Sequence, residues 1–483
     1  MILKDIVKDL EILRIEGSPD KDIDALHYDS RQVTPGSLFF CIKGLTSDGH
    51  DFARMAVDKG AVAVVAEKDI PLPDHVTKIF VPNTRIAMSY AACNFYNRPS
   101  ETLLLIGVTG TNGKTTTTYL TRSILEQAGI RTGLIGTIAN IVGDQTIPAV
   151  RTTPEAPELQ GMFRAMLDEG IRAAVMEVSS HSLELYKVDG SKFDVGVFTN
   201  LTRDHLDFHG TFDNYRRAKA RLFGLSRAAA INTDDESGMA IIRECKDKAY
   251  SYGIRKSALI YADELDLSSE GTEFRLCLPG SSFKVRLGLT GMFNVYNALA
   301  AASACFAANI APECIKSGLE AVRRIPGRLE RLDTGTDFTV LIDYAHTPDG
   351  LENVLRTARG LSRGRLITLF GCGGDRDKSK REVMGEIAGR YSDLCIVTSD
   401  NPRSEEPMEI IRQILPGVVR TGCAYEVIEN RRDAIEFAIK NGRKDDLIII
   451  AGKGHETYQI LKDKIISFDE KEIIASLLGR EKV

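Results

Sequence analysis

No apolar run in this chain approaches the ~18 residues of a membrane span; the longest, such as Ala61–Ala66, are strand-sized. Basic charge is not in excess either. The 62 lysines and arginines face 67 aspartates and glutamates, leaving a net charge of -5, so the clustered positive surface that nucleic acids require is not indicated. Nine cysteines are scattered without a CxxC pair, which indicates neither a zinc site nor a disulfide framework. An odd number of unpaired thiols fits a reducing cytoplasm. The first ten residues alternate charged with apolar side chains and lack a signal-peptide core. There is no short internal repeat and no low-complexity tract. What remains, at 43% hydrophobic and 27% charged residues, is an ordinary globular composition, long enough for two to four domains.

The stretch that organises the rest is Leu103–Thr117, Leu-Leu-Leu-Ile-Gly-Val-Thr-Gly-Thr-Asn-Gly-Lys-Thr-Thr-Thr. A continuous apolar run, a break at glycines and a helical continuation read as a buried strand, a tight turn and a helix N-terminus. Free amides and partial positive charge at such a start hold phosphate oxygens, although the dipole contributes only about 0.3–1 kcal/mol at an exposed end. A triphosphate needs more. Lys114 adds a full charge, Thr115 offers a hydroxyl to Mg²⁺, and Gly110, Thr111, Asn112, Gly113 and Thr116 complete the cradle. The strict GxxxxGK(S/T) spacing is not met, because Val108 occupies the first glycine position. An ordinary glycine-rich turn is the alternative, and the Lys-Thr pair directly after the second glycine argues against it.

The expected fold is α/β in three domains. Residues 1–100 form a small N-terminal α/β domain with a Pro35-Gly36 turn between strands, a helix over about His50–Lys59 and another near Arg85–Tyr96. Residues 101–326 alternate strands and helices, predicting a central, mostly parallel-sheet P-loop ATPase domain. Strands are expected at 173–178, 194–199 and 228–232, with antiparallel strands over 258–289 and a helix from Phe293. Residues 327–483 form a C-terminal Rossmann-like domain with strands near 338–343, 365–370, 394–398 and 446–451.

Polar residues at the carboxyl ends of such strands lie where open α/β sheets bind ligands. Glu177 and His205 are expected at the ends of two neighbouring strands, able to hold a second metal between nucleotide and acceptor. Alone, Glu177 reads better as a helix cap and His205 as a satisfied polar residue; together with the phosphate loop they favour the metal. Lys219 sits between alanines on an amphipathic helix over 212–223. Burial there lowers an amine's pKa, and a neutral amine can take up carbon dioxide as a carbamate, a new anionic metal ligand; the bland reading is a snorkelling lysine. Asp343–Pro348, Gly371–Lys378, Asp400–Arg403 and Gly452–Glu456 all follow predicted strands, and the last two bring arginine and glutamate to one sheet edge, suited to a zwitterion.

Taken together these motifs resemble the Mur ligase family over essentially the whole chain: Thr109–Thr115, Glu177–His181, Asn200–His205, Tyr215–Lys219, Gly291–Asn297, Gly327-Arg328, Asp343–Pro348 and Asp400–Arg403 stand in family order. The resemblance implies an ATP- and Mg²⁺-dependent ligase that forms an amide through an acyl phosphate. It implies a uridine-diphosphate substrate, UDP-N-acetylmuramoyl-L-alanyl-D-glutamate, held by Tyr28, Ser30, Leu45, Thr46 and Ser47 at the uridine end and by Thr152, Thr153 and Ser179 at the peptide end. Thr115, Glu177, His205 and carbamylated Lys219 match metal positions. Asn294, Asn297, Arg328, Asp343 and His346 match the nucleotide pocket. Arg376, Asp400, Asn401, Pro402, Arg403, Gly452 and Glu456 match the site of the incoming amino acid, and Asp-Asn-Pro-Arg is the form carried by members that add meso-diaminopimelate. Leu185 and Lys187 depart from the family's glutamine and arginine; Lys187 keeps the charge without the planar fork and is carried as a candidate. A cytoplasmic monomer without membrane insertion is the corresponding expectation. The readings kept beside it are a folylpolyglutamate-type ligase and a nucleotide-driven switch that hydrolyses ATP without joining anything.

Overall fold

The computed structural model describes residues 1–44, 47–245, 248–268 and 270–482. Leu45 and Thr46, expected at the uridine end, lie outside the described residues. Three sheets follow one another along the chain. The first has five strands and is parallel apart from its edge pair, Arg14–Glu16 against Thr77–Phe80. The expected helix at His50 begins as a 3₁₀ turn, Gly49–Phe52, because the Asp48 side chain accepts the His50 amide; the α-helix proper runs over Ala53–Asp58.

The central sheet has eleven strands. At its middle the phosphate-loop strand, Leu104–Thr109, lies parallel between Ala173–Glu177 on one side and Phe193–Phe198 on the other. Beyond Phe193–Phe198 come Ser226–Asn232, Ala249–Gly253 and Ile260–Ser268, also parallel, and then Gly271–Leu278 and Ser281–Leu287, each antiparallel to the strand before it. The sheet is parallel where helices cover both faces, and side chains alternate between those faces. Ile106, Val108, Val175 and Val197 meet Leu120 and Ile124 of the loop helix and the alanines of Met292–Ala307 on one side. Leu105, Ala174 and Met176 meet Phe163 on the other. Each such large side chain, fully buried, contributes about 1.5–3 kcal/mol.

Two features depart from expectation. The strand Thr132–Ile135 and the hairpin Ala139–Val142/Gln145–Pro148 close the other edge of the sheet. These strands are four residues long, and Gln145–Pro148 is exposed throughout, so no alternation announced them. Glu177 and His205 do not end neighbouring strands: the phosphate-loop strand runs between theirs, and His205 stands beyond Phe198 in the following loop. The order of the sheet thus reverses across the phosphate-loop strand itself, which puts the ligand crevice at that strand's carboxyl end.

The third sheet has six strands, parallel except for Glu330–Leu332 at its edge. Its inner strands, Thr339–Asp343, Leu447–Ala451, Leu366–Phe370 and Leu394–Val397, all point their carboxyl ends the same way. A two-stranded hairpin, Tyr458–Ile460 with Ile465–Ser467, covers that end. Among the described residues no helix is long and apolar enough to cross a membrane.

Candidate active site

The turn after Thr109 is held open by glycines that nothing else could replace. Gly110 has φ 148°, and a Cβ there would meet Thr199 Oγ1 at 1.8 Å; Gly113 has φ 84°, and its Cβ would meet Asn297 Oδ1 at 2.3 Å. Thr199 and Asn200 brace the turn from the neighbouring strand: Thr199 Oγ1 donates to Asn112 O (2.6 Å), and Asn200 Oδ1 accepts the Asn112 amide (2.9 Å). Thr111 Oγ1 pairs with the Tyr215 hydroxyl at 3.1 Å. The Lys114 ammonium donates to Gly110 O and Thr111 O (2.9 and 2.8 Å), folded back over the turn, and burial lowers its pKa.

Glu177 is 1% exposed and gathers donors around it. Its Oε1 accepts from Thr115 Oγ1 (3.0 Å) and the Thr137 amide (2.8 Å), and its Oε2 from Thr137 Oγ1 (3.0 Å). Thr137 Oγ1 also meets Thr152 Oγ1 at 3.0 Å, and Thr153 Oγ1 donates to the Glu177 carbonyl while accepting the Ser179 amide. From the third unit, Arg328 Nη2 donates to Thr115 Oγ1 at 2.8 Å. Thr115 and Glu177 therefore form one cluster of hard oxygen donors at the helix start, the type Mg²⁺ takes alongside phosphates and water. Sequence reasoning missed Thr137, which belongs to the short strand-end segment that carried no pattern.

Lys219 lies on Phe212–Gly224, 1% exposed, with Nζ donating to Gly110 O at 2.8 Å and 4.6 Å from the centre of the Tyr215 ring. Burial, then repulsion from Lys114, pushes its pKa well below a lysine's ordinary value. That is the state in which an amine reacts with carbon dioxide. Beside it His181, His205 and His209 form an aromatic cluster, with ring centres 4.8 Å apart for the first two and 5.6 Å for His181 and His209. Burial keeps all three imidazoles below the usual histidine value, His209 at about 4. Among the described residues no three His, Cys, Asp or Glu side chains are gathered as a metal cluster.

Across the cleft the third unit brings its own loops. Asn112 Nδ2 donates to Asp349 Oδ2 at 2.7 Å, a direct contact from the phosphate turn to the helix Pro348–Leu361. Asn294 and Asn297 pair with each other (3.1 Å) beside Gly113. Asp343 is turned inward: its two oxygens accept the Leu329 and Ala345 amides at 2.6 and 2.7 Å, so it braces the Arg328 turn. His346 is exposed, with Nδ1 on Tyr344 O at 2.8 Å.

At the carboxyl edge of the third sheet, Asn401 Nδ2 donates to Glu456 Oε2 at 2.9 Å, and half-buried Arg403 donates through Nη1 to Gly374 O (2.9 Å) and Asn401 O (3.3 Å). Burial lowers the Arg403 pKa, with nearby Arg376 next in effect. Gly452 lies against Asp400, whose Oδ2 fills the space of a Cβ. Three fully buried cations escaped sequence reasoning, one of them Arg431, paired with Glu470 at 2.7 Å. Arg381 clamps Glu405 bidentately (2.9 Å each) and reaches Gly373 O, tying the turn that carries Arg376 to the loop that carries Arg403. Lys453 lies beneath Asn401 and Glu456. Arg381 and Arg431 stand at helix starts and Lys453 in a loop, places where charged letters read as solvated, which is why none drew notice.

Three family models cover these units: the Mur ligase family catalytic domain matches residues 22–96, the Mur ligase middle domain 108–305, and the Mur ligase glutamate ligase domain 327–454. A Clostridium acetobutylicum protein named UDP-N-acetylmuramoyl-L-alanyl-D-glutamate–2,6-diaminopimelate ligase 1 is 50% identical over 480 residues, 99% of each chain. The chain belongs to the Mur ligase family. A protein of Caldanaerobacter subterraneus subsp. tengcongensis named as the same diaminopimelate ligase is 48% identical over 99% of each chain. A solved structure of such a ligase superposes with a TM-score of 0.71 at 31% identity, covering 99% of both chains. The fold, though at 19% identity no more than the fold, is shared with Mycobacterium tuberculosis folylpolyglutamate synthase complexed with ADP and AMPPCP, at a TM-score of 0.64 over 83% of this chain and 96% of that one.

The remaining family positions fall as follows. Tyr28 reaches from the first unit to the central one, donating to Glu158 Oε1 at 2.7 Å, and Ser30 is buried near it in sequence. Exposed Ser47 accepts the Gly44 amide through its carbonyl at 2.8 Å. Lys187 is buried and paired with Glu155 at 2.7 Å, so in this Mur ligase its charge is already answered by a carboxylate. Pro402 is buried, and its carbonyl accepts the Glu405 amide; Arg376 is exposed, donating to the Asp375 carbonyl at 2.9 Å.

Proposed function

We propose that this Mur ligase joins meso-2,6-diaminopimelate to UDP-N-acetylmuramoyl-L-alanyl-D-glutamate with ATP, giving the UDP-muramoyl tripeptide, ADP and phosphate. The observation that carries it is the pocket of Arg403, Asn401 and Glu456 at a sheet edge that faces the phosphate turn. A guanidinium and a carboxylate there answer the two kinds of charge that diaminopimelate carries at its distal end. The relatives named as diaminopimelate ligases over the full length of the chain support the same reading.

In this reading residues 1–100 hold the uridine end of the substrate, 101–326 bind ATP, and 327–483 bind the amino acid. Tyr28 and Ser30 face the uridine portion; Thr152, Thr153 and Ser179 receive the muramoyl peptide. The turn Gly110–Thr116 cradles the phosphates, with Asn294, Asn297, Arg328 and His346 around the nucleoside. Lys114 swings from its carbonyl partners to the phosphates. The free D-glutamyl carboxylate then attacks the γ-phosphorus, and the bond to the β–γ bridging oxygen breaks. Two anions meet in that step, so catalysis is positioning plus charge stabilisation. Thr115, Glu177 and His205 would hold Mg²⁺, which supplies Lewis-acid stabilisation of the transferring phosphoryl group. The neutral Lys219 amine would add to carbon dioxide and lose a proton, giving a carbamate as a further anionic ligand. Closure of the third unit excludes water from the acyl phosphate, and the amine of diaminopimelate attacks the carbonyl carbon and expels phosphate. The enzyme of this reading is a cytoplasmic monomer.

A coupled ADP-release assay with the dipeptide nucleotide decides the matter. Release is expected with meso-diaminopimelate and far less with L-lysine. Equal turnover of the two, or ADP release without any amino acid, refutes the reading.

A further inference from the structure

The loop Gly452–Glu456 leaves the end of Leu447–Ala451, and its lysine turns inward, with a side chain 0% exposed. Lys453 Nζ donates to Glu456 Oε2 at 2.8 Å and to Asn401 Oδ1 at 3.2 Å, with the Tyr458 ring centre 5.6 Å away. Asn401 Oδ1 also accepts the Ile460 amide at 2.9 Å. With both donors on that oxygen, the carboxamide has one orientation, which aims Nδ2 at Glu456 Oε2 (2.9 Å). Glu456 Oε2 is therefore doubly held, while Oε1 accepts no hydrogen bond among the described residues. An ammonium taken wholly out of water persists only when its partners are exact in place, so burying one here has a definite geometric product: a carboxylate with one oxygen pinned and the other presented.

We infer that Lys453 is a positioning residue for the incoming amino acid and a determinant of which amino acid is used. This rests on the reading of the chain as a diaminopimelate-adding ligase. Lys453 acts through Asn401 and Glu456, and its charge also balances the pocket. Arg376, Arg403 and Lys453 are opposed there by Asp375, Asp400 and Glu456, so loss of Lys453 leaves one negative charge in surplus. Diaminopimelate whose attacking amine has lost its proton carries one ammonium and two carboxylates, a surplus of one negative charge. Lysine in the same state is neutral. A pocket made one unit more negative penalises the first substrate and spares the second, so Lys453 favours diaminopimelate over lysine.

The test is Lys453→Met, which keeps the length of the side chain and removes the charge. The KM for meso-diaminopimelate is expected to rise about tenfold or more, and the preference for it over L-lysine to shrink by a similar factor. The KM values for ATP and for the dipeptide nucleotide stay within about twofold. A second variant, Lys453→Gln, also removes the charge but keeps an N–H donor for Glu456, so it folds where the methionine variant does not, and it shows the same raised KM. An unchanged KM for diaminopimelate in either variant, or a parallel loss for all three substrates, overturns the inference. Unmodified protein that releases no ADP with diaminopimelate overturns the parent reading with it, whereas an active protein whose variants behave like it overturns this step alone.

Discussion

Replacing Arg403 with alanine isolates the interaction on which substrate choice depends. The guanidinium stands half-buried with Nη1 on two backbone carbonyls, at 2.9 and 3.3 Å, and no carboxylate hydrogen-bonded to it among the described residues. Burial works against its charge and is only partly offset by Asp400, Glu456 and Asp375 nearby, so a ligand carboxylate would be its first hydrogen-bonded ionic partner. A carboxylate docking on the remaining face gains two charge-assisted hydrogen bonds of about 1.5–3 kcal/mol each, or about 3–4 kcal/mol together once the water lost from a partly exposed site is counted. At ~1.4 kcal/mol per tenfold, that is a loss of about a hundredfold or more in kcat/KM for meso-diaminopimelate. The loss should fall mainly on KM, because the contact is made equally before and during reaction. L-lysine, which has no distal carboxylate, should keep its low rate, and the KM for ATP should not move. Coupled ADP release measured with each amino acid over a range of concentrations reads all of these. A drop for diaminopimelate of less than about fivefold, or an equal drop for lysine, would mean that Arg403 does not meet the distal carboxylate.

Three further outcomes follow from other residues. Protein assayed in buffer stripped of carbon dioxide should lose activity and recover it on addition of bicarbonate, while Lys219→Ala should be slow and indifferent to bicarbonate; full activity without carbon dioxide removes the carbamate from the mechanism. The hydrogen bonds from Arg381 hold the Glu405 carboxyl down at about 2 against an ordinary 4.5. A depressed carboxyl contributes stability that is fully present above 4.5 and is lost as the pH falls through about 2, so unfolding free energy should decline more steeply over that window in the unmodified protein than in Glu405→Gln, the two curves converging at the acid end; parallel curves would refute it. Arg431 and Glu470 form a pair 0% and 1% exposed, 2.7 Å apart. Arg431→Met should cost about 3–5 kcal/mol in denaturant unfolding by stranding the carboxylate, and Arg431→Met/Glu470→Leu should recover most of it; a double variant no better than the single one contradicts the argument.

Much of this was legible before the fold was in view, for reasons that differ from residue to residue. The phosphate turn announces itself because its conformations admit only glycine at Gly110 and Gly113, and because an apolar strand and a helix must flank it. The inner strands of all three sheets are covered on both faces, so they read as unbroken apolar runs with a polar residue at the carboxyl end, as in Ala173–Glu177 and Thr339–Asp343. Strand order is a different kind of information. It depends on which helix crosses which face, and nothing local to Glu177 or His205 revealed that the phosphate-loop strand lies between theirs. Asp343 is placed in the expected turn, yet its oxygens are spent on backbone amides, a distinction that no side-chain identity carries. Lys453 and Arg381 were invisible for the opposite reason: a charged letter in a loop or at a helix start is usually solvated, and only the packing around these two reveals them as buried.

The seam between the phosphate turn and the third unit is stitched at Asn112 with Asp349 and at Thr115 with Arg328. In the proposed reading the Thr115 hydroxyl serves both the third unit and the incoming nucleotide, which ties docking of that unit to nucleotide affinity. Linkage then demands symmetry: whatever factor the nucleotide applies to the docking of the third unit, docking returns to the nucleotide. A ligase built this way does not need a separate sensor to know that its nucleotide has been loaded.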